Sequence, residues 1–197
     1  QISDSFRQKL VISNTYSITR NFFANVFIAE GEKGSIMTPR NMERAVVNGL
    51  SVSYPLTVAK WWQFSSFFLY SYEKYDGEFE SSIIDLEAHV VDFRLQNNFK
   101  LPGAIQMELS GYISGPSMWR GSLRIDEYYY IDAGIRREFL NKKLQLQASA
   151  RDLFNTGSLY GYSSDYGGMI TRGDAFFDGR RFMLNATYKF GNQEIRG

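Results

Sequence analysis

The stretch Leu-Gln-Leu-Gln-Ala-Ser-Ala-Arg at residues 144–151 decides the fold. Every second side chain, beginning with Leu144, is apolar, and those between are polar. Successive side chains of a β-strand point to opposite faces of a sheet, so the stretch predicts a strand with one apolar and one polar face. The last alternating segment repeats this pattern. Its apolar members are Phe182, Leu184, Ala186 and Tyr188, and its polar members are Arg181, Asn185 and Lys189.

The same alternation runs along most of the chain, and helical periodicity is nearly absent. It predicts an all-β protein of about nine antiparallel strands. These are residues 5–17, 21–31, 43–57, 61–76, 85–99, 104–116, 124–138, 143–155 and 178–190.

The predicted connections alternate in length. Short turns are expected at Ser17–Arg20, Thr57–Lys60, Lys100–Gly103 and Leu140–Lys142. Longer loops are expected near Glu32–Met42, Asp76–Ile84, Ser117–Leu123 and Thr156–Phe177. This asymmetry is typical of outer-membrane β-barrels, which have short periplasmic turns and longer extracellular loops.

Composition agrees with a membrane barrel. The 197 residues include 16 Phe, 13 Tyr and 3 Trp but only 4 Pro, and the mean hydropathy is below zero. A barrel whose strands alternate lipid-facing and polar side chains would have both a high aromatic content and a mean hydropathy below zero. The chain has no Cys and one His, so a disulfide framework or thiolate metal site is excluded. Balanced charge, with 22 basic and 21 acidic residues, argues against nucleic acid as a partner.

Aromatic residues are expected to form two belts at the membrane surfaces. Trp62 and Tyr72 lie ten residues apart, which is ~33 Å along a strand. Because barrel strands are tilted, this length spans ~25 Å across the membrane, the height of the apolar band in such barrels. The belt at the short turns would contain Tyr16, Phe22, Phe23, Tyr54, Trp61, Trp62, Phe99, Phe139 and Phe190. The other would contain Tyr70, Tyr72, Tyr75, Tyr112, Tyr128, Tyr129, Tyr130 and Phe154.

Charged residues are expected on the wall of a wet lumen. The inward-facing set is Asp92, Arg94, Glu108, Asp132, Arg136 and Arg151. Arg137 has lipid-facing parity, but it lies close to a short turn, where its long side chain can reach the membrane surface.

Five short motifs, in order along the chain, resemble the C-terminal barrel region of TonB-dependent receptors of the Bacteroidetes. They are Tyr54-Pro55-Leu56 with Lys60-Trp61-Trp62, Leu101-Pro102-Gly103, Asn141-Lys142-Lys143-Leu144, Asp152-Leu153-Phe154-Asn155 and Tyr188-Lys189-Phe190-Gly191-Asn192. The resemblance implies a receptor in the bacterial outer membrane that imports a nutrient ligand, with a barrel of ~22 strands and a plugged lumen. It also implies outer-membrane lipid and the TonB complex as partners.

On this interpretation residues 1–197 are the C-terminal part of the barrel and contain no plug domain. The plug and the remaining strands would come from the same precursor or from a separate chain. We expect the first and last strands not to pair with each other, because a small closed barrel would contradict a large receptor.

The long loop is the main candidate for ligand binding, because it combines aromatic faces with hydrogen-bonding groups suited to a sugar or a peptide. The candidate residues are Tyr160, Tyr162, Asp165, Tyr166, Arg172 and Asp174, and in the loop before it Trp119 and Arg120. A solvated loop stiffened by tyrosine packing is the alternative. Asp152 and Asn155 are expected to be structural, at a strand end, with Phe154 as a membrane-surface anchor.

No set of nucleophile, base and acid can be assembled, so we expect no enzyme, and no cofactor or metal is expected. Two other functions remain open: a structural or assembly subunit of an envelope complex, and a soluble carbohydrate-binding β-sandwich.

Overall fold

The computed structural model describes residues 9–30, 34–79, 82–119, 121–166 and 169–190. These residues form twelve strands, and none of them forms a helix long and apolar enough to cross a membrane. The strands are β1 (Val11–Glu30), β2 (Gly34–Ala59), β3 (Trp62–Phe79), β4 (Ser82–Leu101), β5 (Ile105–Ser114), β6 (Ser117–Trp119), β7 (Leu123–Ile125), β8 (Tyr128–Phe139), β9 (Leu144–Arg151), β10 (Leu159–Tyr166), β11 (Met169–Phe176) and β12 (Arg181–Tyr188).

Eight strands form the main sheet, in the order β1-β2-β3-β4-β5-β8-β9-β12. All neighbours pair antiparallel. The remaining four form a second sheet, here called the loop sheet, in the order β11-β10-β7-β6. The described strands β1 and β12 are the two edges of the main sheet and do not pair with each other, as expected from the sequence.

The connections at one end of the main sheet are short, as predicted for three of the four turns. β4 and β5 are joined through Gly103 and Ala104, and β8 and β9 through Leu140, Asn141 and Lys142, all with positive φ. These left-handed residues let two strands reverse within a few residues. At the other end the hairpins extend further, and the loop sheet is inserted between strands of the main sheet.

The main sheet has one apolar and one polar face, because directly paired residues share a face. Leu184 pairs with Ala148, which pairs with Ile135, which in turn pairs with Met107. On the other side Asn185 pairs with Gln147, and Gln147 with Arg136. The parity predicted for residues 181–188 is therefore confirmed.

No second layer covers the apolar face of the described sheet. Phe182 is 70% exposed, Leu184 86% and Ile113 54%. A water-soluble protein rarely leaves so large an apolar surface uncovered. The soluble β-sandwich is therefore the wrong interpretation.

Residues 17–20, predicted as a turn, lie inside the continuous strand β1. The prediction of two strands over 5–17 and 21–31 is therefore wrong. Residues 5–8 and 31 lie outside the described part of the chain. The cause is a local break at Asn21. Asn21 has a φ of 53°, and pairing passes from Arg20 with Arg44 to Phe22 with Met42, leaving out Asn21 and Glu43 without a change of register. A left-handed Asn is common in turns, so this position resembles a turn in the sequence although the strand continues.

The predicted long loops are also wrong in detail. β2 begins at Gly34, and β3 and β4 are paired from Phe79 and Ser82 onward, so most of Glu32–Met42 and Asp76–Ile84 is strand. Predicted strand 124–138 is divided between β7 and β8. The segments 117–123 and 156–177 contain the strands of the loop sheet rather than irregular chain.

A small apolar core lies in the extended part of the hairpins, formed by Ala24, Val26, Met42 and Ile84, each at most 1% exposed. Met42 lies against Gly77 of the neighbouring strand β3. All four residues belong to β1, β2 and β4, so the core joins the extended parts of these strands. Strands of the loop sheet also contact β1 and β4.

The aromatic belts are partly confirmed. At the short turns the rings of Trp61, Trp62 and Phe99 stack with centroids 5.9–6.2 Å apart. Tyr16, however, is in register with Asn48 and Tyr72 near the opposite end, because the predicted turn beside it does not exist.

Four residues assigned to the second belt lie on the polar face instead, since each pairs with residues of that face: Tyr75, Tyr112, Tyr128 and Tyr130. Tyr70 and Tyr72 are on the apolar face, and both rings pack on His89. The part of β3 between Trp62 and Tyr72 therefore has an aromatic row at each end of its apolar face.

Candidate ligand-binding site

The loop sheet lies over the polar face of the main sheet. Gly121, just before β7, is so close to Phe22 and Tyr75 that a Cβ atom would be 2.9 Å from Phe22 Cε2 and 3.0 Å from Tyr75 Cδ1. Its φ of 75° also favours glycine. Ser122, which is 1% exposed, donates its hydroxyl to the carbonyl oxygen of Asn25 in β1. The loop sheet is thus fixed in place rather than extended into solvent.

Three of the predicted ligand-binding residues meet at one open cleft in the loop sheet. Tyr162, Arg172 and Asp174 line this cleft of about 560 Å³, together with Asp126. Asp126 was missed because it lies in the predicted strand 124–138. Its carboxylate occupies the space that a Cβ atom at Gly161 would need, a contact that only the folded chain reveals.

The other candidates are dispersed. Tyr160 packs between Tyr128 and Phe177, Asp165 is exposed near the far end of β10, and Trp119 pairs with Leu123 at the β6 edge. Arg120 and the side chain of Tyr166 lie outside the described residues. The six candidates whose side chains are described therefore do not form a single site.

The Asp152 turn has the structural role predicted for it. The Asp152 carboxylate, 3% exposed, accepts hydrogen bonds from Thr156 N at 2.9 Å, Gly157 N at 3.1 Å and Ser158 Oγ at 3.1 Å. Asp152 N in turn donates to Asp132 Oδ1 at 2.8 Å. These bonds fold the chain back between β9 and β10. Phe154, by contrast, is 63% exposed, as an anchor at the membrane surface would be.

A row of aromatic rings connects the polar face to the loop sheet; we call it the aromatic ladder. Its members in order are Tyr130, Tyr112, Tyr128, Tyr160 and Phe177, with neighbouring centroids 5.2, 5.8, 5.8 and 5.4 Å apart. This row was not predicted from the sequence, because three of its rings were assigned to a lipid-facing belt. Tyr112 alternates with the apolar residues of its strand, as the polar residue Ser110 does, and it therefore shares a face with Arg94. This alternation was the signal that could have placed its ring on the polar face.

A pocket of about 360 Å³ lies at the lower end of the ladder, here called the wall pocket. Among the residues that line it are Arg94, Gln96, Ser110, Tyr112, Tyr130 and Asp132. The Arg94 guanidinium lies over the Tyr112 ring, with Cζ 4.8 Å from the centroid, and Tyr112 donates its hydroxyl to Asp92 Oδ1 at 3.1 Å. Within the described residues Arg94 has neither an ion-pair nor a hydrogen-bond partner, so its donors face the pocket unpaired.

The charges predicted to face inward are indeed on the polar face. Glu108 accepts from Gln96 at 3.1 Å, and Arg136 Nε donates to Gln106 at 3.0 Å. Arg137 has the opposite parity, and its Nε donates to the carbonyl oxygen of Gly103 in the adjacent turn at 3.1 Å. Its charge therefore lies at the membrane edge, as expected for a long side chain that reaches out of lipid.

A charged row follows the aromatic row at the far end of the apolar face. Arg44 Nη2 lies 2.6 Å from Asp76 Oδ2, and Lys74 Nζ lies 2.9 Å from Asp85 Oδ1. The hydrogen bond and charge of Arg44 lower the pKa of Asp76, while bonding to Asp85 raises the pKa of Lys74. The change from aromatic to charged side chains marks the upper limit of the apolar band.

Comparison with known proteins gives one match. A sequence model of the outer membrane protein beta-barrel family matches residues 1–188. No curated protein and no solved structure matches the chain.

Proposed function

Because the chain belongs to the outer membrane protein beta-barrel family, we propose that it is part of the barrel wall of a TonB-dependent receptor, which imports a nutrient ligand and performs no catalysis. Family membership places the protein in the bacterial outer membrane, with its apolar face against lipid. Transport and energy coupling are the proposed part.

The observation that carries the proposal is the position of the loop sheet. It lies over the polar face at the end with long hairpins, and it presents Tyr162, Arg172, Asp174 and Asp126 around an open cleft. A receptor needs ligand-binding groups above its lumen, on the side where the ligand arrives. A barrel with a purely structural role has no need of an aromatic and charged surface there.

The edges of the main sheet support additional partner strands. β1 and β12 each have a neighbour on one side only within the described sheet. Inside hydrocarbon each unsatisfied backbone group costs several kcal/mol, so open edges are not stable there. We therefore infer that further strands, from the same precursor or another chain, pair with β1 and β12 and complete the barrel around a plug.

The test compares a strain that lacks the gene with its parent on media that each supply one nutrient class. We expect a growth defect on at least one class, and the same defect when TonB is deleted instead. A defect that does not depend on TonB would identify a passive barrel. Altered envelope integrity with normal growth on every nutrient would support the structural or assembly role instead.

A further inference from the structure

We propose that the aromatic ladder and the wall pocket form a binding path for a neutral oligosaccharide. The inference rests on the proposed function, in which a ligand passes along the polar face. It adds a site on the barrel wall, apart from the loop-sheet cleft, and it names the chemistry of the ligand.

The ladder has the geometry of a path rather than of an isolated aromatic pair. Its lower rings, Tyr112 and Tyr130, are directly opposite each other on β5 and β8. Its upper rings, Tyr160 and Phe177, belong to the loop sheet and the segment that follows it. One continuous series of ring contacts therefore leads from the loops down to the wall of the main sheet.

The groups around the lower rings can both donate and accept hydrogen bonds. Arg94 offers unpaired N–H donors, Asp132 offers carboxylate oxygen, and Gln96 and Ser110 can do both. Among the residues that line the pocket, the charges of Arg94 and Asp132 balance, giving no net charge. An anionic ligand would face the carboxylate of Asp132 here, and a purely apolar one would leave the donors of Arg94 unpaired.

A sugar ring matches both features. Its C–H face is apolar and packs on an aromatic ring, while its hydroxyl groups at the rim donate and accept hydrogen bonds. The Arg94–Tyr112 stack also holds the guanidinium in position before a ligand arrives, which lowers the entropy cost of binding. Successive rings along the ladder would let an oligosaccharide occupy several positions.

The chain itself provides the matched control. Tyr129 lies between two ladder residues, but it pairs with Ile113 on the apolar face and is 53% exposed there. Replacing it removes the same ring from the same strand on the lipid side. A loss of binding specific to the ladder must therefore spare Tyr129→Ala.

The experiment titrates maltohexaose, cellohexaose and xylohexaose separately into the detergent-purified full-length protein, with a Gly-Ser hexapeptide in parallel, and follows binding by calorimetry. We expect at least one oligosaccharide to bind. Tyr112→Ala and Tyr130→Ala should each weaken its binding about five- to ten-fold. Tyr112→Phe, which keeps the ring, should retain most of the affinity.

Tyr160→Ala removes a ladder ring in the loop sheet, outside the wall, and should weaken binding similarly even if a wall variant fails to fold. The proposal is overturned if none of the three oligosaccharides binds, if Tyr129→Ala weakens binding as much as the ladder variants, or if only the hexapeptide binds. TonB-dependent growth on another nutrient, without oligosaccharide binding, would overturn this inference and leave the proposed function intact.

Discussion

Replacing Asp152 should destabilise the turn that connects the main sheet to the loop sheet. Asp152→Ala removes the acceptor of four hydrogen bonds, from Thr156 N and Oγ1, Gly157 N and Ser158 Oγ. A hydrogen bond to a charged group contributes about 1.5–3 kcal/mol, and a buried donor left unpaired costs about 1–3 kcal/mol. Asp152 also has a φ of 48°, which alanine adopts with a strain of about 1 kcal/mol.

The removal of the buried carboxylate recovers part of this loss, because the charge no longer has to be desolvated. We therefore expect a net loss of about 3–5 kcal/mol for Asp152→Ala. Asp152→Asn keeps one acceptor oxygen and tolerates the left-handed conformation, so it should cost about half as much. Asp165→Asn, at an exposed position of β10, should cost less than about 0.5 kcal/mol.

The assay is urea unfolding of the full-length protein in lipid vesicles, combined with limited proteolysis. Cleavage in residues 152–180 should increase in Asp152→Ala before global unfolding begins, because the turn opens locally. Equal unfolding midpoints for wild type and Asp152→Ala would refute the argument. An equal loss in Asp165→Asn would do so as well, because the effect would then not be specific to the buried carboxylate.

Three further predictions test the membrane assignment. Replacing Trp61 and Trp62 together with Ala should weaken anchoring at the short-turn end, because indole rings prefer the headgroup level. A fluorophore attached at the neighbouring Lys60 should then be quenched less by lipid-attached quenchers, and unchanged quenching would contradict the prediction. Ala148→Arg on the lipid side should lower the free energy of unfolding by about 2–4 kcal/mol, whereas Gln147→Arg on the polar face should be tolerated. Unfolding in lipid vesicles would measure both. Equal losses in the two variants would contradict the assigned faces. Asp76 has a lowered pKa in the folded state, so its contribution is present above the ordinary Asp pKa and lost as pH falls through the folded pKa. Asp76→Asn should therefore remove a decrease in the free energy of unfolding below about pH 4, and this decrease should be less than about 1 kcal/mol because the site is solvent-accessible. Unfolding at pH 3 and pH 6 would measure it. An unchanged pH dependence in the variant would assign the effect to another group.

Local patterns were sufficient for the strands and faces at the C-terminal end of the main sheet. Alternation at residues 144–151 and 181–188 predicted strands whose parity the pairing of β9 with β12 confirms. The structural role of Asp152 was also predictable, because Asp stabilises turns through bonds to nearby backbone amides. Both inferences depend on residues close together in the chain.

The errors arose where distant residues decide the conformation. The strand continues past the left-handed Asn21 because the residues on either side of it pair in one register with Arg44 and Met42 of the neighbouring strand, and no local pattern encodes that. The strands of the loop sheet likewise depend on pairs between separate segments, such as Tyr162 with Ile125. Composition and turn signals in such segments indicate loops, since the partner strand is not visible in the sequence nearby.

Tyr128, Tyr129 and Tyr130 show how register gives identical residues different roles. The pairing of Tyr130 with Tyr112 places two of these rings in the ladder and the middle one on the lipid side. A shift by one residue would exchange the faces of every side chain in β8. It would also turn the charges of Asp132 and Arg136 toward lipid, where a charge is unfavourable, most of all near the midplane. The charges of the polar face therefore also fix the register of β8. By excluding the shifted register, they keep the ladder tyrosines on the side where a ligand can reach them.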